Sequence, residues 1–265
     1  MVVHLAAHAG VIPSIKDPLF DFDTNALGTL NMLYASVQNK VDKFIFSSSN
    51  APLGNQNPPL SEEKIAKPLS PYGASKLSCE GYSSAFYDSY GLKTVILRFS
   101  NVYGPYCLHK QSVIAKFIKD GISKKELTIH GNGSQTRDFI HVDDLCHAIH
   151  QCLTALANEQ LTNQRITNNG KSSGEIFHLG TGKETSILDL AKLIKELFND
   201  EIKISFAPER KGEIKRNYSD IAKAREILGF SPKISIKEGV KSVYKWFISK
   251  DTDAIKQAWV ISASE

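Results

Sequence analysis

A tyrosine and a lysine four residues apart are the residues of this sequence best suited to proton transfer. They lie in the segment Pro71-Tyr72-Gly73-Ala74-Ser75-Lys76, which is predicted to open a helix. Side chains at this spacing share one helix face. A lysine ammonium beside a phenol favours the phenolate, which would bring a phenol pKa of about 10 toward the working pH. Tyr72 is therefore predicted to take a proton from an alcohol, although ordinary exposed helices carry the same spacing.

A run of serines supplies a second reactive group. Residues 43–46 are predicted to form a strand that leads directly into Ser47-Ser48-Ser49. Open α/β sheets bind their ligands at the carboxyl ends of parallel strands. A serine at that position can donate to, or accept from, a substrate hydroxyl that is being oxidised.

The surrounding sequence alternates short apolar runs with longer helical patterns, which is typical of β-α-β units and a parallel sheet. The predicted strands are 2–5, 43–46, 94–99, 127–130, 139–142, 176–179 and 203–206. The predicted helices are about 22–39, 72–90, 111–120, 143–157, 186–198, 219–227 and 236–248. The polar segment 158–174 is predicted to be a surface loop.

No glycine-rich phosphate loop follows a strand anywhere in the sequence. A dinucleotide pyrophosphate rests at the first strand-to-helix turn of a doubly wound sheet. We therefore expect the chain to begin downstream of that unit. We also expect its opening strand to form an apolar edge, so that the chain alone would be poorly soluble and nearly inactive. A wrong start codon, a broken gene and a fragment complemented by another chain all remain open as explanations.

Composition narrows the class of protein. The 265 residues are 42% hydrophobic and 23% charged, which is typical of a globular chain. The formal charge of +4 is scattered, which favours a few phosphate contacts over a nucleic-acid partner. No stretch is long enough to predict a membrane span. The four cysteines show neither a CxxC pair nor a metal-ligand spacing, which indicates reduced thiols, a cytoplasmic location and no metal site.

Ordered motifs connect these observations to a family. They are His4-Leu5-Ala6-Ala7, Ser47-Ser48-Ser49, Tyr72 with Lys76, Leu97-Arg98-Phe99 leading to Asn101-Val102-Tyr103-Gly104-Pro105, and Arg137-Asp138-Phe139-Ile140-His141-Val142-Asp143-Asp144. From residue 2 to about 248 the sequence resembles the extended short-chain dehydrogenase/reductases, most closely the UDP-glucose 4-epimerase group. The resemblance implies a doubly wound parallel sheet, Rossmann-like and without its first βαβ unit, beside a smaller C-terminal α/β substrate-binding domain.

The resemblance also implies domain limits. Residues 1–105, with return segments near 137–157 and 175–180, would form the partial NAD-binding domain. Residues 106–136 and 181–265 would form the substrate-binding region. The helices at about 22–39 and 72–90 would pair two subunits of a homodimer.

The site residues implied by the resemblance fall into three groups. The catalytic residues would be Ser49, Tyr72 and Lys76. Contacts to the cofactor NAD would come from Leu5, Ala6, Ala7, Thr24, Ser47, Tyr72, Lys76 and the backbone at Phe99 and Ser100. Contacts to a UDP-sugar would come from Asn101, Arg137 and Arg210 at the diphosphate, Thr128 and His130 near the uracil, Glu213 near its ribose and Asn217 in the sugar pocket.

The implied reaction is an inversion at the sugar C4 through a transient 4-keto sugar. Tyr72 would remove the proton of the 4-hydroxyl while hydride passes to NAD and later returns to the other face of the sugar. Dehydratases of the same class carry an acidic residue just after the catalytic serine or threonine, whereas this sequence has Asn50 and Ala51. A dehydratase or reductase, and a non-catalytic protein that binds nucleotide sugars, remain the alternatives.

Overall fold

A computed structural model describes residues 1–161, 171–210 and 214–250 of the chain. These residues form two compact units. The first unit takes its described residues from Met1–Ser100, Cys146–Gly180 and Ser219–Ser231. The second takes its described residues from Asn101–Leu145, Thr181–Tyr218 and Pro232–Glu265.

The described residues contain the following elements. The strands are β1 (Val2–His4), β2 (Lys43–Ser49), β3 (Lys93–Phe99), β4 (Asn101–Tyr103), β5 (Leu127–His130), β6 (Thr136–Arg137), β7 (Phe139–His141), β8 (Ile176–Leu179), β9 (Thr185–Ser186) and β10 (Ile204–Ala207). The α-helices are α1 (Val11–Lys16), α2 (Pro18–Asp21), α3 (Gly28–Gln38), α4 (Pro71–Tyr90), α5 (Val113–Ile122), α6 (Val142–Leu161), α7 (Ile187–Glu196), α8 (Ala222–Leu228) and α9 (Ile236–Ile248). Among these helices, none is both long and apolar enough to cross a bilayer.

A four-stranded parallel sheet forms the centre of the first unit, in the order β1-β2-β3-β8. Strands β2 and β3 each bury five successive residues. Continuous burial of this kind is typical of strands that are covered on both faces, as in α/β proteins. The predicted α/β class with a parallel sheet is confirmed.

Helices α3 and α4 cover part of this sheet. Leu33 of α3 and Cys79 of α4 pack with Phe44, Phe46 and Ile96 in one buried apolar cluster. Helix α4 has well-defined ends. Its N-cap Ser70 accepts a hydrogen bond from the Gly73 N–H at 3.1 Å, and Gly91 closes it in the left-handed conformation.

The predicted helix at about 22–39 begins earlier and is not uniform. Its first turn is α2, where the Asp17 side chain accepts a hydrogen bond from the Phe20 N–H at 2.9 Å. A π-helical segment, Phe22–Leu27, joins α2 to α3. This wider turn buries Asn25, while Asp21 is buried just before it.

The second unit has its own apolar core. Buried side chains from α5, β5, α7 and α9 form it: Ile114, Phe117, Ile118, Leu127, Ile129, Leu190, Ile194, Val243 and Phe247. Three two-stranded sheets belong to this unit: β5 with β10 in parallel, β4 with β7 in parallel, and β6 with β9 antiparallel.

The units divide the chain differently from the predicted domains. Residues 101–103 and 139–141 were both expected with the first domain, but they pair with each other in the second unit. Conversely, Ser219 forms a β-bridge with Leu60 and lies in the first unit. The predicted loop at 158–174 begins too early because α6 continues to residue 161, and residues 162–170 lie outside the described chain.

A buried ion pair ties α4 to the sheet. The Arg98 Nε and Nη2 atoms of β3 donate to the two carboxylate oxygens of Glu80 in α4 at 2.9 and 2.7 Å. The Ser48 hydroxyl of β2 donates to the same carboxylate at 2.5 Å. Both charged side chains are at most 4% exposed, so each needs the opposite charge of the other to offset the loss of hydration.

Removing the Glu80 charge is therefore expected to destabilise the chain. Glu80→Gln leaves the buried Arg98 guanidinium without its carboxylate and should lower the free energy of unfolding by about 3 kcal/mol. Glu175→Gln is the matched control, because its partner Lys223, at 2.7 Å, is more exposed, and it should cost less than about 1 kcal/mol. Urea denaturation followed by circular dichroism measures both. Equal losses in the two variants would contradict the assigned role of the pair.

Candidate active site

The three consecutive serines lie at the carboxyl end of β2. Ser47, Ser48 and Ser49 are its last residues and pair with residues 97–99 of β3. The ends of β1, β2 and β3 therefore meet at one edge of the parallel sheet, where α/β proteins bind their ligands.

Gly73 allows the first turn of α4 to approach the backbone that follows Ser49. A Cβ atom at this position would lie 2.7 Å from the carbonyl oxygen of Ala51. Any larger residue would push the helix away from this segment. The absence of a side chain at Gly73 thus helps to bring Tyr72 beside Ser49.

The Ser49 side chain lies beside the Tyr72 phenol and lowers its pKa. The Ser49 hydroxyl oxygen also accepts from the Ala51 N–H at 2.9 Å, which fixes the serine side chain. A hydroxyl that faces a phenol at the ligand edge of the sheet can hold a substrate alcohol between them.

Lys76 lies one helical turn after Tyr72 on the same face of α4. Its side-chain nitrogen is 5.9 Å from the centre of the Tyr72 ring and 4.8 Å from that of Phe46. The nitrogen donates a hydrogen bond to the Ser47 carbonyl at 2.7 Å, and the residue is only 3% exposed. The structure thus brings Ser49, Tyr72 and Lys76 together, with Tyr72 and Lys76 on one helix face as their spacing predicts.

The electrostatics of Tyr72 differ from the sequence prediction. Burial raises the pKa of the Tyr72 phenol, the neighbouring Ser49 side chain lowers it, and the charge of Asp21 raises it. Burial also disfavours the charged form of Lys76 and therefore lowers the pKa of this lysine. The predicted lowering of the Tyr72 pKa by Lys76 is wrong for the chain alone, because burial outweighs the other contributions to the Tyr72 pKa.

Asn50, the residue after Ser49, is part of a buried hydrogen-bond network. Its amide nitrogen donates to the Ser219 hydroxyl at 3.0 Å, and its oxygen lies 2.9 Å from Nδ1 of His178. Burial and the charge of Arg98 lower the pKa of His178 to about 3, so the imidazole is neutral at physiological pH. Since the amide oxygen can only accept, Nδ1 of His178 carries the proton.

The residues predicted to bind the cofactor lie mostly at the same sheet edge. Leu5, Ala6 and Ala7 follow β1, and the Leu5 side chain is 55% exposed. Ser47, Phe99 and Ser100 lie at or just beyond the ends of β2 and β3, whereas Thr24 is exposed in the π-helical segment. The Ser100 N–H donates a hydrogen bond to the Leu179 carbonyl at 2.9 Å. Small or exposed residues at the end of a parallel strand fit a flat dinucleotide.

The residues predicted to bind the nucleotide sugar lie in the second unit. Thr128 and His130 belong to β5, and Arg210 is exposed a few residues after β10, whose Ala207 pairs with His130. Asn101 is exposed at the start of β4, and its N–H donates to the Asp138 carbonyl at 2.9 Å.

Arg137 has a structural role besides the predicted one. Its Nη1 donates to the carbonyls of Thr136 and Ile214 at 2.7 and 2.8 Å, which holds the segment that leads to Asn217. Asn217 is half-buried, and Glu213 lies outside the described residues.

Two groups at the site were not anticipated from the sequence. Glu80 could have been found, since it follows Lys76 by four residues and thus shares the helix face of Tyr72 and Lys76. Asp21 could not, because its charge acts on Tyr72 from a helix 51 positions earlier in the sequence, and local spacing carries no signal for such a contact.

Comparisons with known proteins agree with this geometry. The family model described as GDP-mannose 4,6 dehydratase matches residues 1–243. A UDP-glucose 4-epimerase from Thermotoga maritima, solved with UDP-glucose, is 35% identical with a TM-score of 0.83 and covers 94% of this chain and 77% of its own. A UDP-N-acetylglucosamine 4-epimerase from Methanobrevibacter ruminantium, solved with UDP-N-acetylmuramic acid, is 33% identical with a TM-score of 0.83 and covers 94% and 76%. A UDP-glucuronic acid 4-epimerase from Bacillus cereus, solved with UDP-glucuronic acid and NAD, is 31% identical with a TM-score of 0.79 and covers 96% and 75%.

The family match extends over most of the chain, and the three solved structures share its fold at more than 30% identity. The resemblance found in the sequence motifs is thereby confirmed. The chain belongs to the NAD-dependent epimerase/dehydratase family of the extended short-chain dehydrogenase/reductases.

Proposed function

We propose that this protein is an NAD-dependent nucleotide-sugar 4-epimerase that acts on UDP-glucose or UDP-N-acetylglucosamine. The proposal rests above all on the placement of the Ser49 hydroxyl beside the Tyr72 phenol at the ligand edge of the sheet, with Lys76 on the same helix face. Solved relatives that are 4-epimerases of UDP-sugars support it.

In this mechanism Ser49 and Tyr72 hold the 4-hydroxyl of the sugar, and the phenol oxygen of Tyr72 takes its proton. Bound NAD would supply a hydride acceptor and, in its oxidised form, a positive charge. Burial raises the pKa of Tyr72, so the positive charge of bound NAD, added to that of Lys76, would favour loss of the phenol proton. The same phenol would return the proton when the 4-keto sugar is reduced on its other face.

The NAD contacts proposed for this chain are those predicted from the sequence. Leu5, Ala6 and Ala7 would face the dinucleotide, while Lys76 would hold the nicotinamide ribose. The exposure of Leu5 and the position of all three residues directly after β1 support this placement.

On the substrate side, Asn101, Arg137 and Arg210 would contact the diphosphate. Guanidinium groups suit phosphate oxygens because their planar fork can donate two hydrogen bonds at once. Thr128 and His130 would lie near the uracil. Glu213 would contact the ribose, and Asn217 would line the sugar pocket.

A dehydratase is the second candidate, since the matching family model carries a dehydratase description. Dehydration needs an acid or base at the carbon beside the ketone. Asn50 and Ala51 offer no carboxylate after Ser49, and the Asn50 amide is already bound to His178 and Ser219. These contacts favour epimerisation, and loss of water in the product would favour the dehydratase.

Apolar side chains exposed on the helices of the first unit support a homodimer. Met32 and Tyr34 of α3 and Tyr82 and Tyr90 of α4 are all among the exposed large side chains. Clusters of this kind often mark protein interfaces. We propose that these two helices pair with those of a second copy.

Tyr72→Phe tests the proposed chemistry. Loss of the phenol oxygen removes the base and should lower kcat for C4 inversion of UDP-glucose at least about a hundredfold. Tyr244→Phe, a similar change on α9, should leave kcat unchanged. Conversion is measured with NAD and product analysis by chromatography. Full activity of Tyr72→Phe would overturn the proposal.

Asn217→Tyr tests the sugar pocket. A larger side chain should exclude the N-acetyl group and lower kcat/KM for UDP-N-acetylglucosamine roughly tenfold, while UDP-glucose is still converted. Steady-state rates on the two substrates measure the change. Equal turnover of UDP-N-acetylglucosamine before and after the substitution would rule out this role for Asn217.

Placing charged side chains on the proposed dimer interface should separate the two subunits. Met32→Lys combined with Tyr82→Lys should convert the dimer to a monomer, because two charges would have to be buried at the interface. Ile248→Lys, at an exposed position of α9, should leave the mass unchanged. Sedimentation equilibrium measures the mass. A monomeric unaltered chain would contradict the dimer.

A further inference from the structure

Among the described residues, two neutral side chains, Asn25 and Ser75, donate hydrogen bonds to the buried carboxylate of Asp21. It ends α2, and the residue is 0% exposed. A buried carboxylate is costly unless hydrogen-bond donors surround it. The donors that Asp21 has found connect two parts of the proposed site.

One donor comes from the catalytic helix. The Ser75 hydroxyl of α4 donates to the Asp21 Oδ2 at 2.6 Å. Ser75 follows Tyr72 by three residues, so the two side chains are neighbours on the helix surface, and Ser75 directly precedes Lys76 in the chain. This short bond to a charged acceptor belongs to the stronger class of hydrogen bonds.

The other donor comes from Asn25, which is also buried. Its Nδ2 donates to the Asp21 Oδ1 at 2.9 Å and to the carbonyl of His8 at 2.9 Å, while its Oδ1 accepts from the His8 N–H at 2.8 Å. Both amide hydrogens and the amide oxygen of Asn25 are thus engaged. Asn25 therefore fixes the backbone at residue 8, directly after the residues 5–7 that are proposed to face NAD.

We propose that Asp21 is a positioning residue that couples the loop after β1 to the face of α4 that carries Tyr72 and Lys76. The inference rests on the proposed function for the roles of those two side chains. Through Ser75 the carboxylate holds the catalytic helix, and through Asn25 it holds the backbone beside the cofactor. The distance between the proton acceptor and the cofactor would then be set by a chain of four hydrogen bonds.

The charge of Asp21 adds an electrostatic effect to this geometry. It raises the pKa of Tyr72 and also that of Lys76, in addition to the effects of burial. The titratable groups that face it are His8, with Nδ1 3.9 Å from Oδ1, and Tyr72 and Lys76 from α4. Asp21 thereby helps to keep the phenol protonated and the lysine charged.

A matched pair of serine variants tests the coupling. Ser75→Ala removes the hydrogen bond between α4 and Asp21. Ser83→Ala removes another buried hydroxyl from the same helix, but that hydroxyl donates to the Cys79 carbonyl within α4. Only Ser75→Ala should speed hydrogen exchange of the amides at residues 5–8. Only Ser75→Ala should lower kcat, roughly tenfold, with KM for the nucleotide sugar nearly unchanged.

Asp21→Asn tests the charge while keeping the size of the side chain. Without the negative charge the phenolate of Tyr72 forms more easily, so the acid limb of the pH profile of kcat/KM should move to lower pH. A tyrosine titration followed by ultraviolet difference spectroscopy, with Tyr72→Phe as the reference in each background, should move in the same direction.

These measurements separate this inference from the proposed function. Hydrogen exchange and the tyrosine titration need no turnover, so they decide the role of Asp21 even if the chain proves not to be an epimerase. Equal exchange rates in Ser75→Ala and Ser83→Ala, or an unmoved Tyr72 titration in Asp21→Asn, would overturn the inference. A loss of thermal stability alone, equal in both serine variants, would indicate a purely structural contact and would also overturn it.

Discussion

The first unit depends on one constraint: ionisable side chains buried between α4 and the parallel sheet must find partners there. Glu80 pairs with Arg98, and Lys76 donates to the Ser47 carbonyl. Each pairing fixes the rotation and height of α4 over the strands. Because Tyr72 lies on the same helix face, these contacts also determine where its phenol meets Ser49. The contacts that stabilise α4 on the sheet therefore also position the side chains of the proposed chemistry.

Much of this arrangement could be predicted from the sequence. The α/β class and the strands at 127–130 and 176–179 follow from apolar runs, and the shared helix face of Tyr72 and Lys76 follows from their four-residue spacing. The prediction for Ser49 came from its position at a strand end and from the family resemblance. The short strands β6 and β9 could not be predicted, since two residues carry no periodicity. The direction of the Tyr72 pKa was missed because burial depends on the whole packed unit, whereas spacing reports only the nearest charge.

The second unit shows how a predicted ligand contact can also have a structural task. Arg137 was predicted from its motif as a phosphate contact, yet its Nη1 bonds two backbone carbonyls. Asp138 beside it accepts from the N–H groups of Thr181 and Gly182 at 2.7 and 3.1 Å. A sequence motif identifies residues that are able to bind a ligand, but it does not show which of their hydrogen-bond donors are already used by the protein backbone. This depends on backbone carbonyls that are distant in sequence.

The π-helical segment at Phe22–Leu27 has a consequence for how this region tolerates changes in length. Such a segment holds an additional residue relative to an α-helical turn. Deleting one residue there would restore ordinary winding and change the spacing between Asp21 and Asn25, which are hydrogen-bonded across this wider turn. The hydrogen-bond chain from Ser75 to the backbone of residue 8 would then be interrupted at Asn25. Insertions and deletions in this segment should therefore be far less acceptable than substitutions on its exposed side.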